Sequence, residues 1–90
     1  MKEKYNIKLA GAEFTVLSED EKDYVDSLVR ILDRRVSDLV VASKRCTKYE
    51  AALLCALDYL DQKIKAEAEI GRLKDALAAL EAEGKKNDRV

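Results

Sequence analysis

The sequence predicts a mainly α-helical protein with a small N-terminal β-hairpin. The expected architecture is a hairpin–helix head followed by a long C-terminal coiled-coil helix. Three observations carry this reading. Two short runs alternate apolar and polar residues on either side of Gly11. Two later stretches repeat apolar residues at three- and four-residue steps, each behind a capping-box sequence. The chain has no proline and only three glycines, so little interrupts a helix.

Each element follows from its residues. Tyr5, Ile7 and Leu9 alternate with Asn6 and Lys8, and Phe14 and Val16 with Glu13 and Thr15. Ala10-Gly11-Ala12 sits between them as the turn of a hairpin with one apolar face. Such a hairpin is marginal alone and needs cover for that face. Ser18-Glu19-Asp20-Glu21 has the form of a capping box and is expected to open the first helix. Its acids, with Asp23, suit the positive end of the helix dipole. Val25, Leu28, Val29, Leu32, Val36, Leu39 and Val40 form the apolar face. Arg30, Asp33, Arg34, Ser37 and Asp38 mark the wet side, and the helix should fade near Ser43.

The polar link Ser43-Lys44-Arg45-Cys46 leads to a second capping box, Thr47-Lys48-Tyr49-Glu50. The helix that follows should run from about Lys48 to Glu83, with Gly84-Lys85-Lys86 as its stop. At 1.5 Å per residue it is on the order of 50 Å long, more than so short a chain can bury. Residues 51–60 are apolar on almost every side, so this box is expected to be enclosed. Leu53, Leu57, Leu60 and Ile64 step four-three-four; Ile70, Leu73, Leu77 and Leu80 step three-four-three. Ile64 and Ile70 are six residues apart where a heptad needs seven, a local slip in the seam. The slip reads as a boundary. Before it the helix packs in the head; beyond it the helix packs in a coiled coil with another chain. All eight residues are candidate oligomer-interface positions. The expected organisation is residues 1–62 as the head, 63–83 as the coiled-coil extension and 84–90 as a flexible tail. Gly71 weakens the distal helix by about 1 kcal/mol relative to alanine. Ala76, Ala78, Ala79 and Ala82 either restore helix propensity or widen the apolar face toward a four-helix arrangement.

Composition narrows the function. Seventeen basic and eighteen acidic residues give a net charge of −1, so no basic field holds nucleic acid non-specifically. No polybasic run suggests a membrane surface, and the longest apolar run, Ala51 to Leu57, is too short to span a bilayer. The charged start Met1–Tyr5 lacks a signal-peptide core, so a cytoplasmic protein is expected. Cys46 and Cys55, with no histidine, supply neither a disulfide framework nor a structural zinc site; they read as a loop thiol and a small core residue. No phosphate-binding glycine loop appears, and no histidine serves as a base. Asp58 and Asp61 lie one turn apart, too few oxygens for calcium, and Lys65 is a plain ion-pair partner for Asp61. No catalytic, cofactor, metal or small-molecule site is therefore expected. Arg34, Arg35, Lys44, Arg45 and Lys48 gather around the end of the first helix and the link. They read either as helix-end electrostatics or as a docking patch.

The order of elements resembles the ZapA family of bacterial cell-division proteins. Ile7-Lys8-Leu9-Ala10-Gly11-Ala12-Glu13-Phe14 is similar to that family's opening hairpin, Tyr24 to Leu39 to its first helix, and residues 51–61 to its alanine- and leucine-rich box. Asp58 stands where the family usually has asparagine. The resemblance spans about residues 4 to 82 and implies a cytoplasmic, non-enzymatic protein at mid-cell. It also implies a homodimer, or a homotetramer, that binds and cross-links or aligns FtsZ filaments. Charged head residues are the implied filament contacts; Lys44, Arg45 and Lys48 fall in the matching region, with Lys8 and Glu13 on the hairpin as the alternative surface. Two other readings stay open on residues alone: a dimeric DNA binder of the ribbon-helix-helix kind, and a generic coiled-coil adaptor. Two strands, balanced charge and the long second helix speak against the first.

Overall fold

The computed structural model describes residues 1–87, with side chains described as far as residue 84. Its elements are β1 (Glu3–Leu9), β2 (Ala12–Ser18), α1 (Lys22–Ala42) and α2 (Lys48–Asn87). The first compact unit ends at Leu57, and the second begins at Asp58.

β1 and β2 pair antiparallel, with Tyr5 opposite Val16, Ile7 opposite Phe14 and Leu9 opposite Ala12. Opposed residues share a face, so these pairs make the apolar side. The link is a two-residue loop, Ala10-Gly11, with φ of 53° and 81°. Two positive φ values are the pattern of a type I′ turn, whose twist matches the strands it joins. A left-handed alanine is unfavourable by about 1–2 kcal/mol. The strain is met by a hydrogen bond: Ala10 N–H donates to Asp33 Oδ1 on α1 at 2.8 Å. Asp33, expected on the wet side, is therefore half-buried and ties the hairpin turn to α1.

Ser18 does not open the first helix. The strands pair as far as Glu3 and Ser18, which places Ser18 in the ladder. Its hydroxyl accepts from Asp20 N–H at 3.0 Å, a local turn that competes with helix. α1 starts at Lys22 behind Glu21, which makes no side-chain cap. The acidic first turn is thus Asp23 alone. The second capping sequence does act: Glu50 N–H donates to Thr47 Oγ1 at 3.1 Å, and the Thr47 hydroxyl donates to the Glu50 carboxylate at 3.3 Å.

The core is small. Val36, Ala51 and Cys55 are at most 1% exposed and form one cluster, flanked by Ala10, Leu32, Leu39, Val40 and Cys46. Val25 is buried nearer the start of α1. The apolar box is not enclosed as expected. Ala51 and Cys55 face this core, whereas Leu53, Leu54 and Leu57 stay half or more exposed. One turn of helix accounts for this: residues two apart differ by about 200°, so Leu53 and Leu57 point away from Cys55.

In the second unit every residue from Asp61 to Gly84 is exposed. α2 continues through Gly84 to Asn87, past the stop expected after Glu83. A single glycine costs about 1 kcal/mol, too little to end a helix this rich in alanine, glutamate and lysine. The expected tail at 84–90 is thus helical as far as Asn87; residues 88–90 lie outside the described residues.

Candidate functional site

The first candidate surface surrounds the hairpin turn. The turn, the second half of α1 and the start of α2 enclose an open cleft of about 540 Å³. Val36, Val40 and Val41 give it an aliphatic wall, and Lys8, Ser37 and Lys48 its polar rim. Lys48 reaches across to the turn: a Cβ on Gly11 would lie 3.2 Å from its Nζ. Gly11 is therefore favoured for its φ of 81°, while a Cβ there would ask only a small shift of the flexible Lys48 side chain.

The structure brings together only part of the charged set. Lys8 and Lys48 share the cleft. Glu13 stands opposite Lys8 across the strands, beside Phe14 and Thr15. Lys44 and Arg45 are exposed in the link between α1 and α2 and do not line the cleft. Asp33 also lines the cleft, so its rim carries two ammonium groups and one carboxylate.

The second candidate surface is on α2, as two rows set on different faces by the six-residue step from Ile64 to Ile70. Leu53, Leu57, Leu60, Ile64, Ile70, Leu73, Leu77 and Leu80 are all 50–65% exposed. The surface beside it is locally satisfied. Lys65 pairs with Asp61 at 2.9 Å, Lys63 with Glu67 at 3.8 Å, and Gln62 donates to Asp58 at 2.7 Å. Arg72 Nε donates to Glu69 at 3.0 Å, which holds the Glu69 carboxyl below the usual range and raises the guanidinium.

A third surface was read only in part: Leu28 was expected on the apolar face of α1 with Val25 and is instead half exposed, while Tyr24 and Ile31 were not singled out. Tyr24, Leu28 and Ile31 are about half exposed on α1. The four-three spacing of Tyr24, Leu28 and Ile31 was visible, but only Val25 and Val36 of α1 are buried. Tyr5 is structural: its hydroxyl donates to the Asp20 carbonyl at 2.8 Å and to Glu3 at 3.1 Å. Partial burial, then the Glu3 carboxylate, raises its pKa. Among the described residues no cluster of histidine, cysteine, aspartate or glutamate could hold a metal. No described helix is long and apolar enough to cross a membrane.

A β-hairpin and a first helix without a side-chain cap carry a charged cleft, and a long helix with exposed apolar side chains follows; this is the build of a small mainly helical protein with no metal-binding cluster among the described residues. The particular kind follows from the sequence profile. Residues 5–88 match the family described as Cell division protein ZapA, and the chain belongs to that family. Its role is that of an accessory protein of cell division. No individual curated protein and no solved structure matches the chain.

Proposed function

We propose that this protein is a non-enzymatic, cytoplasmic partner of FtsZ at mid-cell. It self-associates and binds, cross-links or aligns FtsZ filaments. The carrying observation is the exposed row Ile70, Leu73, Leu77 and Leu80, four large aliphatic side chains on a helix that buries none of them. Exposed apolar rows of this length mark an interface. Pairing that row between copies gives an assembly with two or more heads. Each head offers Lys44, Arg45 and Lys48 to an acidic filament surface. Two heads on one particle raise apparent affinity by roughly 10²–10⁴ without new contacts, provided both reach their sites. They also let one particle hold two filaments.

Co-sedimentation with polymerised FtsZ, with molar mass by light scattering, tests this. Reversing charge at Lys44, Arg45 and Lys48 together should abolish co-sedimentation and leave the molar mass unchanged. Added salt should weaken wild-type binding. Normal bundling by the charge-reversed protein would move the docking surface to the hairpin, around Lys8 and Glu13. No co-sedimentation of wild type at any salt would reject the filament reading.

A further inference from the structure

The two edges of the hairpin are unlike. In a hairpin with a two-residue loop the pair next to the turn, Leu9 and Ala12, exchanges hydrogen bonds, and bonded pairs then alternate along the ladder. The backbone N–H and C=O groups of Lys4, Asn6 and Lys8 therefore point outward on the β1 edge, and those of Glu13, Thr15 and Leu17 point outward on the β2 edge. The β1 edge carries Lys4 and Lys8, and lysine is a common guard of an open edge. The β2 edge has no such guard. Ala12–Ser18 is seven residues long, holds no lysine and no proline, and pairs in unbroken register without a bulge. Its middle, Phe14-Thr15-Val16-Leu17, is made of residue types that suit a sheet. α1 packs against β1, and no third strand lies beyond β2 among the described residues. Phe14 is 45% exposed and Leu17 62%, on opposite faces of the strand.

We propose that the β2 edge takes an extended segment of another protein as a third strand, a segment apolar at alternate positions with a basic residue beside Glu13. Outward donors and acceptors two residues apart match the repeat of a strand. Phe14 and Val16 share their face with Ile7 and Tyr5, so apolar side chains at every second position of the incoming segment continue that face. Glu13 is the one charged side chain of β2, and a cation next to it completes the cross-strand pairing. This surface is separate from Lys44, Arg45 and Lys48, which carry the opposite charge. A second copy fits it poorly. Another β2 brings no cation to Glu13, and β1 of another copy makes a head-to-tail contact that runs on without closing.

A probe of that chemistry on the full chain tests strand addition. The probe is a synthetic nine-residue peptide that alternates valine and threonine and has lysine at both ends. At saturation it should slow amide hydrogen exchange at Glu13, Thr15 and Leu17 at least about tenfold. The same peptide with glutamate in place of lysine should bind more weakly. Thr15→Pro removes one outward N–H and no bond of the β1–β2 ladder, so it should abolish the protection. Exchange of the Ala10 amide, held by Asp33, reports in the same experiment that the hairpin stands. Thr15→Lys gives this edge the guard that β1 has and should weaken binding without the constraint of proline; it decides the matter where Thr15→Pro disturbs the hairpin. No protection in wild type, unchanged protection in both variants, or equal binding of the glutamate peptide overturns the proposal. A fall in the molar mass of peptide-free Thr15→Pro also overturns it and assigns the edge to a second copy.

Discussion

Residues 1–57 and the helix beyond Asp58 are built on opposite principles. The first unit holds a hairpin, a helix and the start of α2 together with a few small buried groups: Val25, Val36, Ala51 and Cys55. Among the described residues the second buries none, and it carries local pairs such as Lys65–Asp61 and Arg72–Glu69. Such pairs contribute only a few tenths of a kcal/mol each to a helix. The contrast teaches where stability comes from. The first unit has a small core of its own side chains; the described residues of the second leave their large apolar side chains exposed.

The strongest way to break the contrast is Val36→Asp. Val36 is 1% exposed and belongs to the buried cluster with Ala51 and Cys55. A buried unpaired carboxylate there should cost about 3 kcal/mol or more and unfold the first unit. Thiol labelling reads this directly. In wild type Cys55 should resist a thiol reagent without denaturant, while the half-buried Cys46 reacts. In Val36→Asp both should react. Fast labelling of Cys55 in wild type would mean the cluster is not a core.

Leu77→Glu probes the other side. Losing a large aliphatic contact in a packed interface costs about 2–5 kcal/mol. The variant should fall in molar mass and lose helicity in the distal part of α2, while Cys55 stays protected. Loss of Cys55 protection would show that the two units fold as one.

How far the sequence was legible follows the same division. Period-two alternation around Gly11 located both strands, because pairing and burial share that period. The threonine cap at Thr47 was local and was read correctly; the serine cap at Ser18 was not, because the strand register claimed Ser18 for a pairing with Glu3. Asp33 was read as solvated because its partner, the Ala10 amide, lies 23 residues away in sequence. The apolar box was read as enclosed, since composition counts apolar residues but not how many neighbours reach them. The charged candidates were legible as a list; that Lys8 and Lys48 share a cleft while Lys44 and Arg45 do not needed the fold.

Asp33→Ala gives a smaller effect within the first unit. It leaves the Ala10 N–H without its acceptor at a strained turn, a loss of about 1–3 kcal/mol. Asp33→Asn keeps an acceptor oxygen and should recover most of it. Chemical denaturation of the three proteins separates the cases; equal stability of Asp33→Ala and wild type would show that the turn holds without the tie.

The smallest effect belongs to the helix beyond Asp58. The Arg72 guanidinium holds the Glu69 carboxyl below its usual value, with a slight opposing effect of desolvation. A carboxyl with a depressed folded-state pKa stabilises the folded form above the ordinary glutamate range, and that contribution is lost as pH falls through the depressed value. Both side chains are more than half exposed, so solvent and salt screen the pair. Glu69→Gln should therefore match wild type at acid pH, where both side chains are neutral, and be slightly less helical near neutral pH. The difference should shrink in high salt. The other acids of the helix titrate in both proteins, so only the difference between the two curves reports on Glu69. A difference that persisted at acid pH would trace to the shape or propensity of glutamine, not to its charge. A large difference at neutral pH would mean that Glu69 holds more than Arg72.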